Sequence, residues 1–256
     1  MAEFNFKRIL KEANRGDLFL PVIQSYLHKQ NFPDFTVKVH GVQNRPPDDW
    51  FHPSQHPLWG ERQLYYYISQ PEGLIADRLD PLGVLAVTAG NFWHSFMEVC
   101  LLDAGLLTAT EVPLVDDEVK SRGHMDGQTC DPEEGFEFKT MNSMKMGKIA
   151  EGPASSKEVQ ASWRALVPVY AAQADEYMRM AGLKRQRFII MNTAYPFPMR
   201  EICLDYDERA AMAVRDKYLR VRQAVADQRP PQACCNPGSA EAKSCFARAV
   251  CPVGQM

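Results

Sequence analysis

The sequence predicts an α/β or α+β fold with a central mixed β-sheet flanked by helices. Three observations predict it. Three short β-prone segments lie between residues 110 and 141, preceded by a helical stretch. A long helical stretch follows them. Two further strands and a basic helix close the pattern. Helix, three strands, helix, strands, helix is an order that lays helices against one sheet. The chain has 256 residues, enough for one large domain or one domain with appendages. Hydrophobic residues make up 45% and charged residues 24%, as in an ordinary soluble globule.

Each element has a local reason. Residues 1–30 read as helical, with apolar positions at Phe4, Ile9, Leu10, Leu18, Leu20, Ile23 and Leu27. Residues 31–56 are rich in Pro, Asp and Asn, with one strand candidate at 36–42. A helix is expected over 61–69, ended by Pro71. Thr88 is the expected N-cap of a helix over 89–104 that stops at Gly105. Strands follow at 110–115, 119–126 and 135–141. A small-residue loop at 147–154 has Lys145 and Lys148 near its start. The helical stretch 156–181 ends at Gly182, and Pro168 should kink or split it. Strands at 187–193 and 199–204 precede a helix over 208–228. The tail from Pro230 reads as a loop. The expected organisation is an N-terminal helical and loop region (1–56), a core (57–229) and a cysteine-rich tail (230–256). No internal repeat is evident.

The start of the chain is charged and amphipathic, unlike a signal peptide. The apolar stretch 82–89 is too short and too glycine-broken to span a bilayer. A cytoplasmic protein without a membrane partner is expected. The net charge of −3 means that a nucleic-acid partner would need locally gathered cations.

The most informative residues are Asp126, in G-H-M-D-G, and Glu137 and Lys139, in G-F-E-F-K-T. Strand alternation puts Glu137 and Lys139 on one face and lets Met125, Phe136 and Phe138 turn into a core. Two carboxylates side by side repel unless a hard cation lies between them. A lysine beside that cation can orient or deprotonate water. These are parts of metal-assisted phosphodiester hydrolysis; a surface hairpin with ordinary charges is the bland alternative. His94, among Phe92, Trp93, Phe96 and Met97, is either a core histidine or part of a polar site with Glu98, one helical turn on. Gln173 and Tyr177 share a helix face that is either solvated or part of the same site.

In this order, G-x-x-x-H, G-x-x-D-G, E-x-K and Q-x-x-x-Y resemble the RecB-like branch of the PD-(D/E)xK nuclease superfamily, over about residues 57–205. The similarity is to the CRISPR-associated four-cysteine exonucleases and their phage-encoded relatives. That resemblance implies a restriction-endonuclease-like core. It implies Mg²⁺ or Mn²⁺ held by His94, Asp126, Glu137 and the Phe138 carbonyl. Lys139 would position the water, and Gln173 and Tyr177 would line the site and contact substrate. The implied activity is metal-dependent DNA exonuclease action on ends or single strands, in recombination, repair or phage DNA metabolism. A bacterial or phage-infected cell, and a homo-oligomer or recombination protein partner, belong to the same expectation. A non-catalytic DNA-binding adaptor is the competing one.

The chain has seven cysteines; Cys234, Cys235, Cys245 and Cys251 crowd the tail, while Cys100, Cys130 and Cys203 are scattered. In a cytosolic chain such a cluster points to metal rather than disulfides. The resembled family often ties its ends together with an iron–sulfur cluster, using one cysteine in C-x-R-x-x-Y-Y and three in a C-terminal C-x2-C-x5-C. This chain departs from that pattern. Gly60 stands at the first place, Ala242 at the second, and only Cys245-x5-Cys251 matches. Candidate ligands for an iron–sulfur cluster or Zn²⁺ are therefore His56, Cys235, Cys245 and Cys251. His52 is an alternative to His56. A set drawn from the tail alone would need the adjacent Cys234 and Cys235, an unfavourable pair. Free thiols in a flexible tail are the other expectation.

Cations that could contact nucleic acid fall in three groups. Lys139, Lys145, Lys148 and Lys157 lie beside the proposed centre. Arg179, Lys184, Arg185 and Arg187 form the second group. Arg215, Lys217, Arg220 and Arg222 form the third, which reads as a solvated helix face. Trp59, Tyr65, Tyr66, Tyr67 and Trp163 are candidates for base stacking or for core.

Overall fold

The computed structural model describes residues 17–28, 36, 48–74, 80–129 and 133–253. The strand candidate beyond residue 36, the first half of the expected N-terminal helix, and Cys130 lie outside them. The described helices are α1 (Phe19–Leu27), α2 (Glu61–Ser69), α3 (Pro81–Asp103), α4 (Ser143–Met146), α5 (Lys157–Leu166), α6 (Pro168–Ala181), α7 (Glu208–Ala226) and α8 (Ala240–Ser244). The strands are β1 (Ala109–Asp116), β2 (Ser121–Gln128), β3 (Gly135–Thr140), β4 (Arg185–Met191) and β5 (Met199–Asp205). None of the described helices is long and apolar enough to cross a membrane.

The strands form one mixed sheet in the order β1-β2-β3-β4-β5. Among the described strands, only the β3–β4 pair is parallel. A parallel pair needs a crossover, and α5 and α6 supply it. On β4, Phe188 and Ile190 face one core while Ile189 and Met191 face the other, the period-2 alternation of a strand buried on both sides. The first core joins the sheet to α5 and α6 through Trp163, Ala174, Tyr177 and Met178. The second joins it to α1 and α3 through Phe19, Met97 and Leu101. Each fully buried large apolar side chain contributes about 1.5–3 kcal/mol by leaving water. Phe136 and Phe138 enter the α1–α3 core, as alternation predicts, but Met125 enters the α5–α6 core. The two sides of the hairpin thus serve different layers.

Pro168 splits the long helix where expected, occupying the first position of α6, and Gly182 ends it in the left-handed region at φ 71°. Helix α3 corrects the sequence expectation. It begins at Pro81, eight residues before 89, because the Asp80 side chain accepts the Gly83 N–H at 2.6 Å. Thr88 is interior, and its hydroxyl donates to the Val84 carbonyl one turn back. Leu18, at the N-cap of α1, offers no capping side chain. Glu201 on β5 serves instead, accepting the N–H groups of Leu18, Phe19 and Leu20 at 2.8–3.0 Å.

The tail is folded, not a free loop. Phe246, Ala247, Cys251 and Val253 are buried against α2 and α7, with Phe51, Leu64 and Tyr218. The third cation group is structural: Arg215 pairs with Glu118, Arg220 with Glu61 and Arg222 with Asp49, while Lys217 donates to the Pro57 and Trp59 carbonyls. Tyr65, Tyr66 and Trp163 are core.

His56 is fully buried, in contact with Phe51, Trp59 and Tyr67, and its Nδ1 accepts the His52 N–H at 2.9 Å. Burial, aided by His52, lowers its pKa from 6.5 to about 3. The unfolded chain therefore binds a proton that the folded chain refuses between those values. The stability this neutral ring contributes is complete above pH 6.5 and is lost as pH falls toward 3. Thermal melts from pH 7.5 to 4.5 should show a steeper acid loss for wild type than for His56→Phe. Parallel curves would contradict this.

Candidate active site

The site forms where β2 and β3 part. These strands pair only at Gly127–Phe136 and Gln128–Gly135. Extending that register sets Asp126 opposite Glu137, but the ladder stops there. The Asp126 carboxylate takes over the ladder's role, accepting the Phe138 N–H at 2.8 Å. The parted strands leave a gap that side chains from both faces of the sheet can enter.

Alternation on β3 buries Phe136 and Phe138 on one side, so Glu137 and Lys139 point to the other. Glu137 is fully buried, and its Oε2 accepts a short hydrogen bond from Lys139 Nζ. Lys139 Nζ also lies 3.8 Å from Asp126 Oδ2 and 5.5 Å above the Tyr170 ring. From the other layer, α3 brings His94. Gly90, one turn earlier, lies beside the end of β3; a Cβ there would sit at ordinary contact distance, 3.6 Å from Thr140 Oγ1. His94 Nε2 is 3.3 Å from Glu98 Oε1, 3.8 Å from Asp126 Oδ2 and 3.9 Å from Glu111 Oε1.

Glu111 is the residue the sequence reading missed. It falls within β1 between Thr110 and Val112, which pair with Gly127 and Met125 and so bracket Asp126. Its φ is +48°, a conformation that costs a non-glycine residue about 1–3 kcal/mol. The register of two adjacent hairpins was the only signal for it.

Gln173 and Tyr177 are not on a solvated helix side. Both are buried beneath the site. Gly123, on β2, leaves the room Tyr177 needs: a Cβ there would lie 2.9 Å from its ring. Lys145 and Lys148 are exposed on and after α4, and neither forms an ion pair among the described residues. Arg187 departs from its expected DNA role. It is buried and pairs with Glu134 and with Glu201, the latter at 2.6 Å. Arg185 pairs with Asp205 at 3.1 Å, and Arg179 with Asp116 and Glu176.

The electrostatics follow from crowding. Burial and the charge of Asp126 push Glu137 well above the usual carboxylate range, with Lys139 opposing. Burial works against a charged Lys139, but Asp126 and Glu137 outweigh it and hold its proton. Burial also works against protonated His94, yet Glu98 and Asp126 raise it to about 9. Burial, Glu137 and Asp126 raise Tyr177.

The donor set fits a divalent cation. His94 Nε2, Glu98 Oε1 and Glu137 Oε1 are buried and accept or donate no hydrogen bond. His94 Nε2 and Glu98 Oε1 face each other at 3.3 Å, which leaves the buried Glu137 Oε1 as the polar atom in need of a partner. One ligand atom each from His94, Glu98 and Glu111 lie within 4.8 Å of one another. Oxygen ligands suit Mg²⁺, and an imidazole adds Mn²⁺.

No family model matches the chain, and no curated protein matches it. Among solved structures it is similar to one described as the crystal structure of SSO0001, at 14% identity and a TM-score of 0.44, covering 94% of this chain and 98% of that one. A likeness at this level carries no argument about function.

The tail cysteines gather at a second place. Cys234, Cys235, Cys245 and Cys251 line one recess beside α2, and His56 is not among its lining residues. The expected Cys/His combination is thereby corrected: His56 belongs to the aromatic cluster around Phe51.

Proposed function

We propose that the chain is a divalent-metal-dependent deoxyribonuclease acting on DNA ends or single strands. The observation that carries this is the convergence of His94 from α3, Asp126 from β2, and Glu137 and Lys139 from β3, with the buried Glu137 Oε1 lacking a hydrogen bond. His94, Asp126, Glu137 and the Phe138 carbonyl would hold Mg²⁺ or Mn²⁺, with Glu98 and Glu111 beside them. When bound, such a cation supplies a Lewis acid for a phosphate oxygen and lowers the pKa of water.

The chain's own residues do the rest. Lys139, kept protonated by its two carboxylates, donates a hydrogen bond that orients the attacking water and offsets negative charge on the phosphorane-like transition state. Asp126 locks the backbone of β3 through Phe138 N–H and so fixes where Glu137 and Lys139 point. Gln173 and Tyr177 support Glu137 and Lys139 from below and set the depth of the floor. Lys145 and Lys148, exposed just after β3, are cations free to meet phosphates. Six cysteines among the described residues form no disulfide, which suits a reducing cytoplasm.

A labelled single strand bound in EDTA and then given Mn²⁺ tests this reading. A nuclease degrades the bound strand on metal addition. An adaptor holds it intact, which would overturn the proposal.

Two variants check the parts. His94→Ala should raise the Mn²⁺ concentration for half-maximal cleavage by at least about tenfold without a large loss of stability. A large fall in melting temperature with normal activity per folded molecule would make His94 a core residue. Reversing Lys145 and Lys148 to Glu should weaken DNA binding and reduce the salt slope by about 2, one per phosphate contact. Unchanged affinity and slope would place the DNA on another side.

A further inference from the structure

We propose that Tyr195 and Phe197, on the turn between β4 and β5, form a stacking platform for unpaired bases and make the site select single-stranded DNA over duplex, an inference that rests on the nuclease reading above. The aromatic residues that the sequence offered for base stacking are packed into the cores. This pair stands in the open instead. Tyr195 is 88% exposed and Phe197 39%.

The pair ends an aromatic chain that begins at the site. Trp93 precedes His94 on α3, and its ring lies 5.3 Å from that of Phe92, itself 41% exposed. Phe197 packs on Trp93 at 5.5 Å, and Tyr195 meets Phe197 edge-on at 6.2 Å. The exposed rings are thus one continuous patch, and such a patch marks an interaction surface where scattered apolar residues do not. The turn holds its rings in place. Phe197 N–H donates to the Ala194 carbonyl at 2.8 Å, Asn192 N–H to the Pro198 carbonyl at 2.9 Å, and Ala194 N–H to Asn192 Oδ1 at 2.9 Å. Pro196 and Pro198 fix their own φ. Rings on so rigid a support have little backbone freedom left to lose when a base settles on them.

Position ties the platform to the chemistry. Met191, the last residue of β4, pairs with Thr140, which follows Lys139. The turn therefore leaves the sheet at the same end as Lys139, at the carboxyl ends of the parallel pair, where open α/β sheets bind ligands. Segment 143–148 leaves β3 at that end too, and Asn192 Nδ2 donates to Ser143 Oγ, tying the two segments together. A groove of about 750 Å³ is lined by Ser143, Met146 and Gly147 from one segment and by Tyr195, Pro196 and Pro198 from the other. Lys145 and Lys148 belong to the first segment and are exposed. One side offers cations for phosphates and the other offers aromatic faces for bases, the combination that grips single strands without reading their sequence. The acids of the groove are engaged: Glu201 by Arg187, Glu151 by Arg200, and Asp17 has a partner too. In a duplex each base face is covered by its neighbour, so the platform has nothing to stack on.

The test measures binding in EDTA by fluorescence anisotropy with three labelled probes: an oligothymidylate, an abasic strand of the same length, and a duplex. Wild type should bind the oligothymidylate about tenfold tighter than the abasic strand, which carries the same phosphates without bases. Tyr195→Ala should lose most of that preference and Tyr195→Trp should keep it, with circular dichroism showing both folded. Equal affinity of wild type for the two single strands, binding of neither, or an undiminished preference in Tyr195→Ala would overturn the platform. Tighter binding of duplex than of oligothymidylate would overturn the selectivity. A wild-type oligomer that Tyr195→Ala breaks into monomers, with the preference unaltered, would assign the patch to a second copy of the chain and overturn the platform. Adding Mn²⁺ separates this inference from the nuclease reading. Oligothymidylate held through Tyr195 but left intact contradicts the nuclease and supports the platform, whereas degradation without any preference for bases contradicts the platform alone.

Discussion

Replacing Glu137 with Gln is expected to abolish DNA cleavage and leave the protein at least as stable as wild type. Glu137 is fully buried, faces Asp126 across the parted strands, and has an Oε1 without a hydrogen bond. A carboxylate in that position is costly to the fold, which is why its pKa is pushed up by burial and by Asp126. Gln keeps the shape and removes the charge. Such a trade of stability for function is what the proposed activity would require of Glu137. Activity should fall by roughly 10³-fold or more, as when a group stabilising transition-state charge is lost. Added Mn²⁺ should raise the melting temperature of wild type through preferential binding to the folded chain, and leave the variant unmoved. Near-normal cleavage by a folded Glu137→Gln would remove this residue from the site.

Replacing Arg187 with Met should unfold the protein far more readily while leaving DNA affinity per folded molecule unchanged. Arg187 sits on β4 between Glu134 and Glu201, both buried, and Glu201 in turn caps α1. Burial works against the charged guanidinium, but its acidic partners hold its proton. Removing it leaves two buried carboxylates uncompensated, a loss of about 3–5 kcal/mol. Urea unfolding would read this directly. A loss under about 1 kcal/mol would mean that the three groups relax independently.

The fold was legible where the signal was local. Phe136 and Phe138 alternate with Glu137 and Lys139, so the strand and the two faces of its side chains could be read from six residues. Pro168 and Gly182 punctuated the long helix for reasons of backbone geometry alone. The start of α3 was not legible in the same way. Gly83 and Gly90 weaken its helical pattern, and Thr88 has the chemistry of a cap, yet Asp80 and Pro81 form a better one. The site was half legible. His94, Asp126, Glu137 and Lys139 announce themselves through residue type and spacing, but Glu111 joins them only through cross-strand register. Arg187 read as a DNA contact because nothing near it in sequence reveals Glu134 and Glu201. The packing of Cys234 against Gly60 is visible only once the tail has folded back.

Hydrolysis of 5′- and 3′-labelled DNA, single- and double-stranded, by wild type and Asp126→Asn purified in parallel, tests the central claim most directly. Wild type should degrade at least one substrate in Mn²⁺ or Mg²⁺ and none in EDTA, and Asp126→Asn should degrade none under any condition while remaining folded. Cleavage by wild type that persists in EDTA, or equal cleavage by both proteins, would contradict a metal site built on Asp126, and intact DNA with wild type in both metals would contradict the nuclease itself.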